Sequence, residues 1–226
     1  MSVSGKGHAV GLFGGTFDPV HQGHLDLARH VLDRCRLDRL LFIPAPLPPH
    51  KRQPAASFVH RVAMIEAALD ECPGDRGRLS CSCVEQNLPL PSYTIHTVEA
   101  LIKAQGGHRF FLIIGADSLL DLPHWHRIEE LLALVNLIVV NRDRITTDKV
   151  GRALASLDAS YTFDAQQGLW FGRGGRTVEY LDDIELPVSS SSIREELAQG
   201  KVPAMLPPAV FDYIKQHHLY GWRAPL

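Results

Sequence analysis

The stretch Ala9-Val-Gly-Leu-Phe-Gly-Gly-Thr-Phe-Asp-Pro-Val-His-Gln-Gly-His24 decides the fold. Val10, Leu12 and Phe13 lie in an apolar run of strand length, and Gly14-Gly15 follow where the strand must give way to a helix. Glycines there are expected to take backbone torsions that a Cβ would resist, leaving peptide N–H groups bare above the strand end. His21 and His24 are three residues apart, so a helix beginning near His21 carries both imidazoles on one face at its N-terminus. The positive end of the helix dipole lies there too. Bare N–H groups and two imidazoles, with no nearby carboxylate except Asp18 to repel the anion, form a set suited to a triphosphate. Gly-Gly or His-x-x-His alone is common; their order within one strand-turn-helix is far more specific.

Downstream, Leu25 to Cys35 has its apolar residues at helical spacing and Arg39 to Pro44 reads as a second strand. This is a βαβ unit, which implies a parallel sheet with a right-handed crossover and a ligand site at the strands' carboxyl ends. Pro44 to Pro54 holds five prolines and the basic cluster His50-Lys51-Arg52, a loop placed to reach an acceptor phosphate. Ser57 caps the next helix, through about Cys72, with Phe58, Val62, Ile65 and Leu69 as its core stripe and Arg61 turned toward the phosphates. Leu79 to Val84 alternates as a strand, and Ser92 is the expected cap of a helix from about Tyr93 to Gln105.

Arg109 to Gly115 is apolar enough for a central parallel strand. For Asp117, just beyond it, two readings stand level: cap of a short helix, or acceptor for ribose hydroxyls. Trp125, between His124 and His126 after Pro123, is expected at a surface where an indole stacks on a flat ligand. A helix start here sends the two imidazoles to different sides, which argues against zinc. Asn136 to Asn141 is another strand, after which Arg142 faces adenine or nothing. Thr146 to Leu157 is helical, glycine-rich Ser160 to Thr177 offers only turns and an exposed loop, and order returns at Val178 to Leu181 and Ile184 to Leu186. Ser189-Ser190-Ser191-Ser192 then opens a helix, with Ser192 and Glu195 as a capping box and Arg194 able to reach a β- or γ-phosphate. Gly200 ends that helix and Pro207-Pro208 begin the last one.

With 226 residues and 45% hydrophobic content the chain is expected to be one domain, residues 1–226. Its 23 basic and 25 acidic residues leave a net charge of −2, so no global field draws nucleic acid or an anionic membrane, and phosphate must be met by a local site. The N-terminus lacks a signal-peptide core and no apolar run approaches about 18 residues, which points to the cytoplasm. The four cysteines lack CxxC spacing. Cys81 and Cys83 are expected on one face of a strand, and buried thiols account for all four better than zinc does.

Gly14-Gly-Thr-Phe-Asp-Pro19 with His21-x-Gly23-His24 resembles the signature of the HxGH nucleotidyltransferase superfamily. Pro48-Pro49-His50-Lys51, His60-Arg61, Pro91-Ser92-Tyr93-Thr94, Gly115-Ala116-Asp117-Ser118, Trp125 and Ser189 to Arg194 extend the likeness almost end to end. Together they resemble the bacterial nicotinate-nucleotide adenylyltransferases. Ser191 stands where that family usually has Thr, and His96 where it often has Asp. The resemblance implies an α/β fold, a Rossmann-like open parallel sheet with helices on both faces, and a C-terminal helical part, about 188–226, completing the ATP site. It implies AMP transfer from ATP to nicotinate mononucleotide, giving nicotinate adenine dinucleotide and pyrophosphate, with no covalent intermediate. His21, His24, Lys51 and Arg194 are then the catalytic set. Gly14, Gly15, Thr16, Phe17, Asp117, Ser189, Ser190 and Ser191 bind ATP, and Arg52, Ser92, Tyr93, Thr94 and Trp125 bind the mononucleotide. Mg²⁺ is expected on ATP oxygens, without protein ligands of its own. The alternatives are a related transferase with another phosphate acceptor and a nucleotide-binding regulator without turnover.

Overall fold

The computed structural model describes residues 7–47, 53–141, 145–184 and 188–223, with eight strands and eight α-helices among them. The chain divides into two compact units, Met1–Phe13 with Tyr93–Glu185 and Gly14–Ser92 with Leu186–Leu226. Strand β1 (Ala9–Gly15) contributes to both, changing unit after Phe13.

In the first unit β1 is followed across the sheet by β4 (Arg109–Gly115), β5 (Asn136–Val140), β8 (Thr177–Leu181), β7 (Leu169–Phe171) and β6 (Thr162–Asp164). The first four are parallel, with Phe13 opposite Ile113, Gly115 opposite Val140, and Val140 opposite Leu181. All five residues of β5 are buried, as its unbroken apolar run requires of an inner parallel strand. Helices α3 (Thr94–Ala104) and α5 (Ile128–Leu134) pack together, as do α4 (Ala116–Asp121) and α6 (Thr147–Leu157). Thr146 caps α6 by accepting from Lys149 N–H.

The glycine-rich segment corrects the expectation of turns alone. β6 and β7 form an antiparallel hairpin and β7 pairs antiparallel with β8, so the sheet is mostly rather than wholly parallel. Asp164 closes the hairpin turn: its Oδ1 accepts from Gln166 and Gln167 N–H, and its carbonyl accepts from Gly168 N–H. Gly168 there has φ +68, a torsion that favours glycine.

In the second unit β2 (Arg39–Pro44) pairs parallel with β3 (Leu79–Cys81), Phe42 opposite Cys81, and Ala45 N–H donates to Gly15 O at 2.9 Å. Helix α1 (Gln22–Arg34) packs on β2, and α2 (Phe58–Asp70) on β2, β3 and α8 (Pro208–Gln216); α7 (Ser190–Ala198) completes the C-terminal helical part. The strand expected over Leu79 to Val84 stops at Cys81. Ser82 N–H still donates to Phe42 O, but a 3-10 turn over Val84–Asn87 follows, so Cys83 lies off the strand. Burial, with Cys83 and Glu66 nearby, pushes the Cys81 thiol up to about 12. Cys72 is buried and the other three cysteines are half-buried, none in a disulfide among the described residues. The buried face of α2 is also rotated from the expected stripe. Arg61, Met64, Ile65 and Ala68 point inward, because the Arg61 guanidinium is itself an interior group.

Among the described residues no helix is long and apolar enough to cross a membrane.

Candidate functional site

His21 is the N-cap of α1 and its ring is buried; His24 is half-buried in the first turn. The two imidazoles stack, with centroids 3.7 Å apart and planes 28° from parallel. His21 N–H donates to His24 Nδ1 at 3.2 Å. A neutral His24 therefore carries its proton on Nε2, which becomes a donor. Gly23 permits the stacking, since a Cβ there would meet His21 Nδ1 at 3.2 Å and Val188 Cγ1 at 3.1 Å.

The turn between β1 and α1 corrects the torsional reading of Gly14 and Gly15. Neither glycine has a positive φ; the left-handed residue is Phe17, at φ 51. Its buried ring lies edge-on to His24 at 5.0 Å and 5.5 Å from Phe42. Glycine is needed at position 15 for space, because a Cβ would lie 2.8 Å from the Phe17 ring. At Gly14 a Cβ would meet nothing within 4 Å.

Asp18, next in the turn, is a buried hub. Its Oδ2 accepts from Ala55 N–H at 2.7 Å, and its Oδ1 from Ala56 N–H at 3.1 Å and the Tyr220 hydroxyl at 2.7 Å. Arg194 Nη1 donates to the Asp18 carbonyl at 2.6 Å and lies 3.9 Å from Oδ2, while Nη2 donates to Ser191 Oγ at 3.1 Å. Ser190 Oγ donates to Pro19 O at 2.9 Å. Arg61 does not face a phosphate. Fully buried, it donates to Thr16 O at 2.6 Å, Pro46 O at 3.1 Å and Ala56 O at 3.3 Å, tying the turn after β1 to both ends of the connection between β2 and α2. Burial lowers its pKa, opposed by the charge on Asp18.

Helix α7 starts three residues earlier than expected. Ser189 is the N-cap and forms the capping box with Ser192, its Oγ accepting from Ser192 N–H at 3.1 Å. Ser92 is likewise not a helix cap. It is buried, its hydroxyl donates to Glu85 Oε2 at 2.8 Å, and Tyr93 is the N-cap of α3.

The first unit holds its own cluster. The Tyr93 ring stacks on His126 at 4.3 Å, and His96 meets both rings edge-on at 5.8 Å. Trp125 is half-buried after a 3-10 turn at Leu122–His124, and His124 turns away to pair with Asp121. Asp117 is exposed in the first turn of α4. Lys51 and Arg52, with the motif Pro48 to Lys51, lie outside the described residues, as does Arg142.

The cytidylyltransferase-like family model matches residues 12–196. A probable nicotinate-nucleotide adenylyltransferase of Bacillus pumilus is 40% identical over 213 residues, covering 93% of this chain and 97% of its own. One from Synechococcus sp. (strain JA-3-3Ab) is 38% identical over 213 residues, covering 93% and 94%. The chain belongs to the nicotinate-nucleotide adenylyltransferases, within the cytidylyltransferase-like family. The fold agrees: the Plasmodium falciparum nicotinic acid mononucleotide adenylyltransferase complexed with NaAD superposes with a TM-score of 0.72 at 14% identity, over 96% of this chain and 98% of that one.

In this family member the sequence reading missed three groups: Tyr220, the hub role of Asp18, and the interior role of Arg61. Spacing carries no sign of them, because their partners are brought up by tertiary contacts. Among the described residues no three His, Cys, Asp or Glu side chains converge as a metal cage, and both Asp18 oxygens already accept hydrogen bonds.

Proposed function

We propose that the chain transfers the AMP moiety of ATP to nicotinate mononucleotide, releasing pyrophosphate, and that the stacked His21–His24 pair and Arg194 serve the transferred phosphate chain. The observation that carries this reading is the donor set of the second unit: His24 Nε2–H by its tautomer, and a half-exposed Arg194 seated on the Asp18 carbonyl. The Asp18 carboxylate beside them is occupied by hydrogen-bond donors.

An oxygen of the acceptor phosphate attacks the α-phosphorus as the bond to the bridging oxygen breaks, and pyrophosphate leaves in line. The acceptor phosphate is already ionised at neutral pH, so no general base is required. Charge grows on the bridging and pyrophosphate oxygens, where His24, His21, Arg194 and, from the sequence, Lys51 stabilise it most in the transition state. The donors leave the metal to the substrate. A divalent ion, which we take to be Mg²⁺, would be held by triphosphate oxygens and would supply further charge neutralisation there.

Gly14, Gly15, Thr16 and Phe17 are assigned to ATP through main-chain N–H groups. The exposed Ser191 and the first N–H groups of α7 are assigned to the phosphates, since the hydroxyls of Ser189 and Ser190 already serve the cap and Pro19 O. Residues 188–226 thereby complete the ATP site within one nucleotidyltransferase domain, 1–226. Asp117 is assigned to ribose hydroxyls. Tyr93, Thr94 and the Ser92 backbone, at the N-terminus of α3, are assigned with Trp125 and Arg52 to the mononucleotide, and the reaction to the cytoplasm. Purified protein with ATP and Mg²⁺, tested on a panel of phosphate acceptors by pyrophosphate release, is expected to turn over with nicotinate mononucleotide. Turnover confined to another acceptor would overturn the assignment.

A further inference from the structure

Tyr220 sits in a 3-10 turn, Leu219–Gly221, that packs on α7 and α8. Its backbone is left-handed at φ 56, uncommon for a bulky residue. The side chain turns inward to donate to Asp18 Oδ1, 202 positions earlier in the chain, with Met64 Sδ 4.0 Å from the hydroxyl. Tyr220 and Arg194 both hydrogen-bond to Asp18. Tyr220 holds its carboxylate, and Arg194 holds its carbonyl at 2.6 Å while remaining 3.9 Å from Oδ2.

We propose that Tyr220 is a positioning residue for Arg194, acting through Asp18, so that the C-terminal turn sets the pose of the guanidinium; this rests on the assignment of Arg194 to the triphosphate. The physical reason is a competition for one buried charge. With three donors, the Asp18 carboxylate is satisfied where it stands, and Arg194 can remain on the carbonyl with its other nitrogen on Ser191. Without the tyrosine hydroxyl, Oδ1 keeps Ala56 N–H, and Arg194 is a half-exposed cation already within ion-pair distance of Oδ2. A buried carboxylate short of donors draws that cation inward, off the carbonyl and away from an incoming phosphate. Burial and the Asp18 charge push the Tyr220 phenol far above its ordinary value, so it stays a donor throughout the neutral range.

The test compares wild type, Tyr220→Phe, Arg194→Ala and the double variant. It measures affinity for a non-hydrolysable ATP analogue by calorimetry, kcat, KM for each substrate, and thermal stability. Tyr220→Phe is expected to weaken analogue binding and raise KM for ATP about tenfold, the size of one charge-assisted hydrogen bond. KM for the mononucleotide should stay within about twofold, and adding Tyr220→Phe to Arg194→Ala should cost nothing more. Unchanged analogue affinity, equal shifts in both KM values, or full additivity in the double variant would overturn the proposal. Should Tyr220→Phe fail to fold, the double variant Asp18→Asn/Tyr220→Phe, which removes the buried charge together with its donor, is expected to bind the analogue within about threefold of wild type, and a loss of about tenfold or more there would overturn the proposal. Analogue binding needs no acceptor. A wild type that binds it but makes no dinucleotide would count against the acceptor assignment alone, with the coupling still measurable.

Discussion

Removing the Arg61 guanidinium should damage the second unit more than any other single truncation on α2. The group is fully buried and donates to three main-chain carbonyls from two loops, Thr16 O at 2.6 Å, Pro46 O at 3.1 Å and Ala56 O at 3.3 Å. In Arg61→Met the apolar stem is kept, so packing changes little. All three carbonyls lose their donor, and Asp18 loses a nearby positive charge. One orphaned buried acceptor costs about 1–3 kcal/mol, and breaking a buried charge arrangement on one side about 3–5 kcal/mol. Part of the first cost is recovered where water reaches the loops, so we expect a loss of about 3–5 kcal/mol. For a chain of this size each kcal/mol moves Tm by about 2–4 °C, so the drop should be about 6–20 °C. Arg61→Lys keeps the charge facing Asp18 but replaces a planar fork by a single ammonium; roughly half the loss is expected. The assay is urea and thermal unfolding of the protein without nucleotide at neutral pH. An Arg61→Met variant within about 1 kcal/mol of wild type would refute the interior role, because three orphaned carbonyls cannot cost so little.

Four further outcomes follow from particular contacts. Gly15→Ala should destabilise the protein by about 1–3 kcal/mol, since its Cβ meets the Phe17 ring at 2.8 Å, whereas Gly14→Ala should keep stability and weaken ATP binding; equal unfolding midpoints for the two would contradict this. His24→Ala should lower kcat far more than it weakens ATP binding, by about 2.7–4 kcal/mol in the barrier, and parallel losses in kcat and affinity would show that the ring only binds. The acid mononucleotide should be preferred over its amide by roughly a hundredfold in kcat/KM, about 2.7 kcal/mol, because the N-terminus of α3 offers N–H donors to a carboxylate; comparable values, or a Trp125→Ala variant with unaltered KM for both, would sink that assignment. With its thiol pushed up to about 12, Cys81 should be almost wholly protonated at pH 8 and its alkylation rate should climb about tenfold per pH unit well past pH 9, whereas a plateau near pH 9 by mass spectrometry would contradict the burial argument.

What the sequence determined by itself is what depends on neighbours along the chain. β2 spans Arg39–Pro44 as read, β4 spans Arg109–Gly115, and α6 begins after Thr146, because apolar runs, helical spacing and a capping hydroxyl are local signals. His21 and His24 were legible for the same reason: three residues and a helix start suffice to stack two rings. The tertiary structure decided everything that depends on who else arrives. β6 and β7 have three residues each, too few for periodicity to speak, and exist as strands through pairing with β8. Four consecutive serines all cap well, so only the fold could select Ser189 over Ser192. The torsional reading of Gly14-Gly15 failed because the need at Gly15 is for space, set by a Phe17 ring that folds back over it. Arg61 looks like a surface cation in any window of sequence; the carbonyls of Thr16 and Pro46, brought up from earlier in the chain beside the local Ala56 O, make it interior. Asp18 and Tyr220 meet across 202 positions, and a hydrogen bond between two common side chains leaves no periodic trace in the chain that makes it.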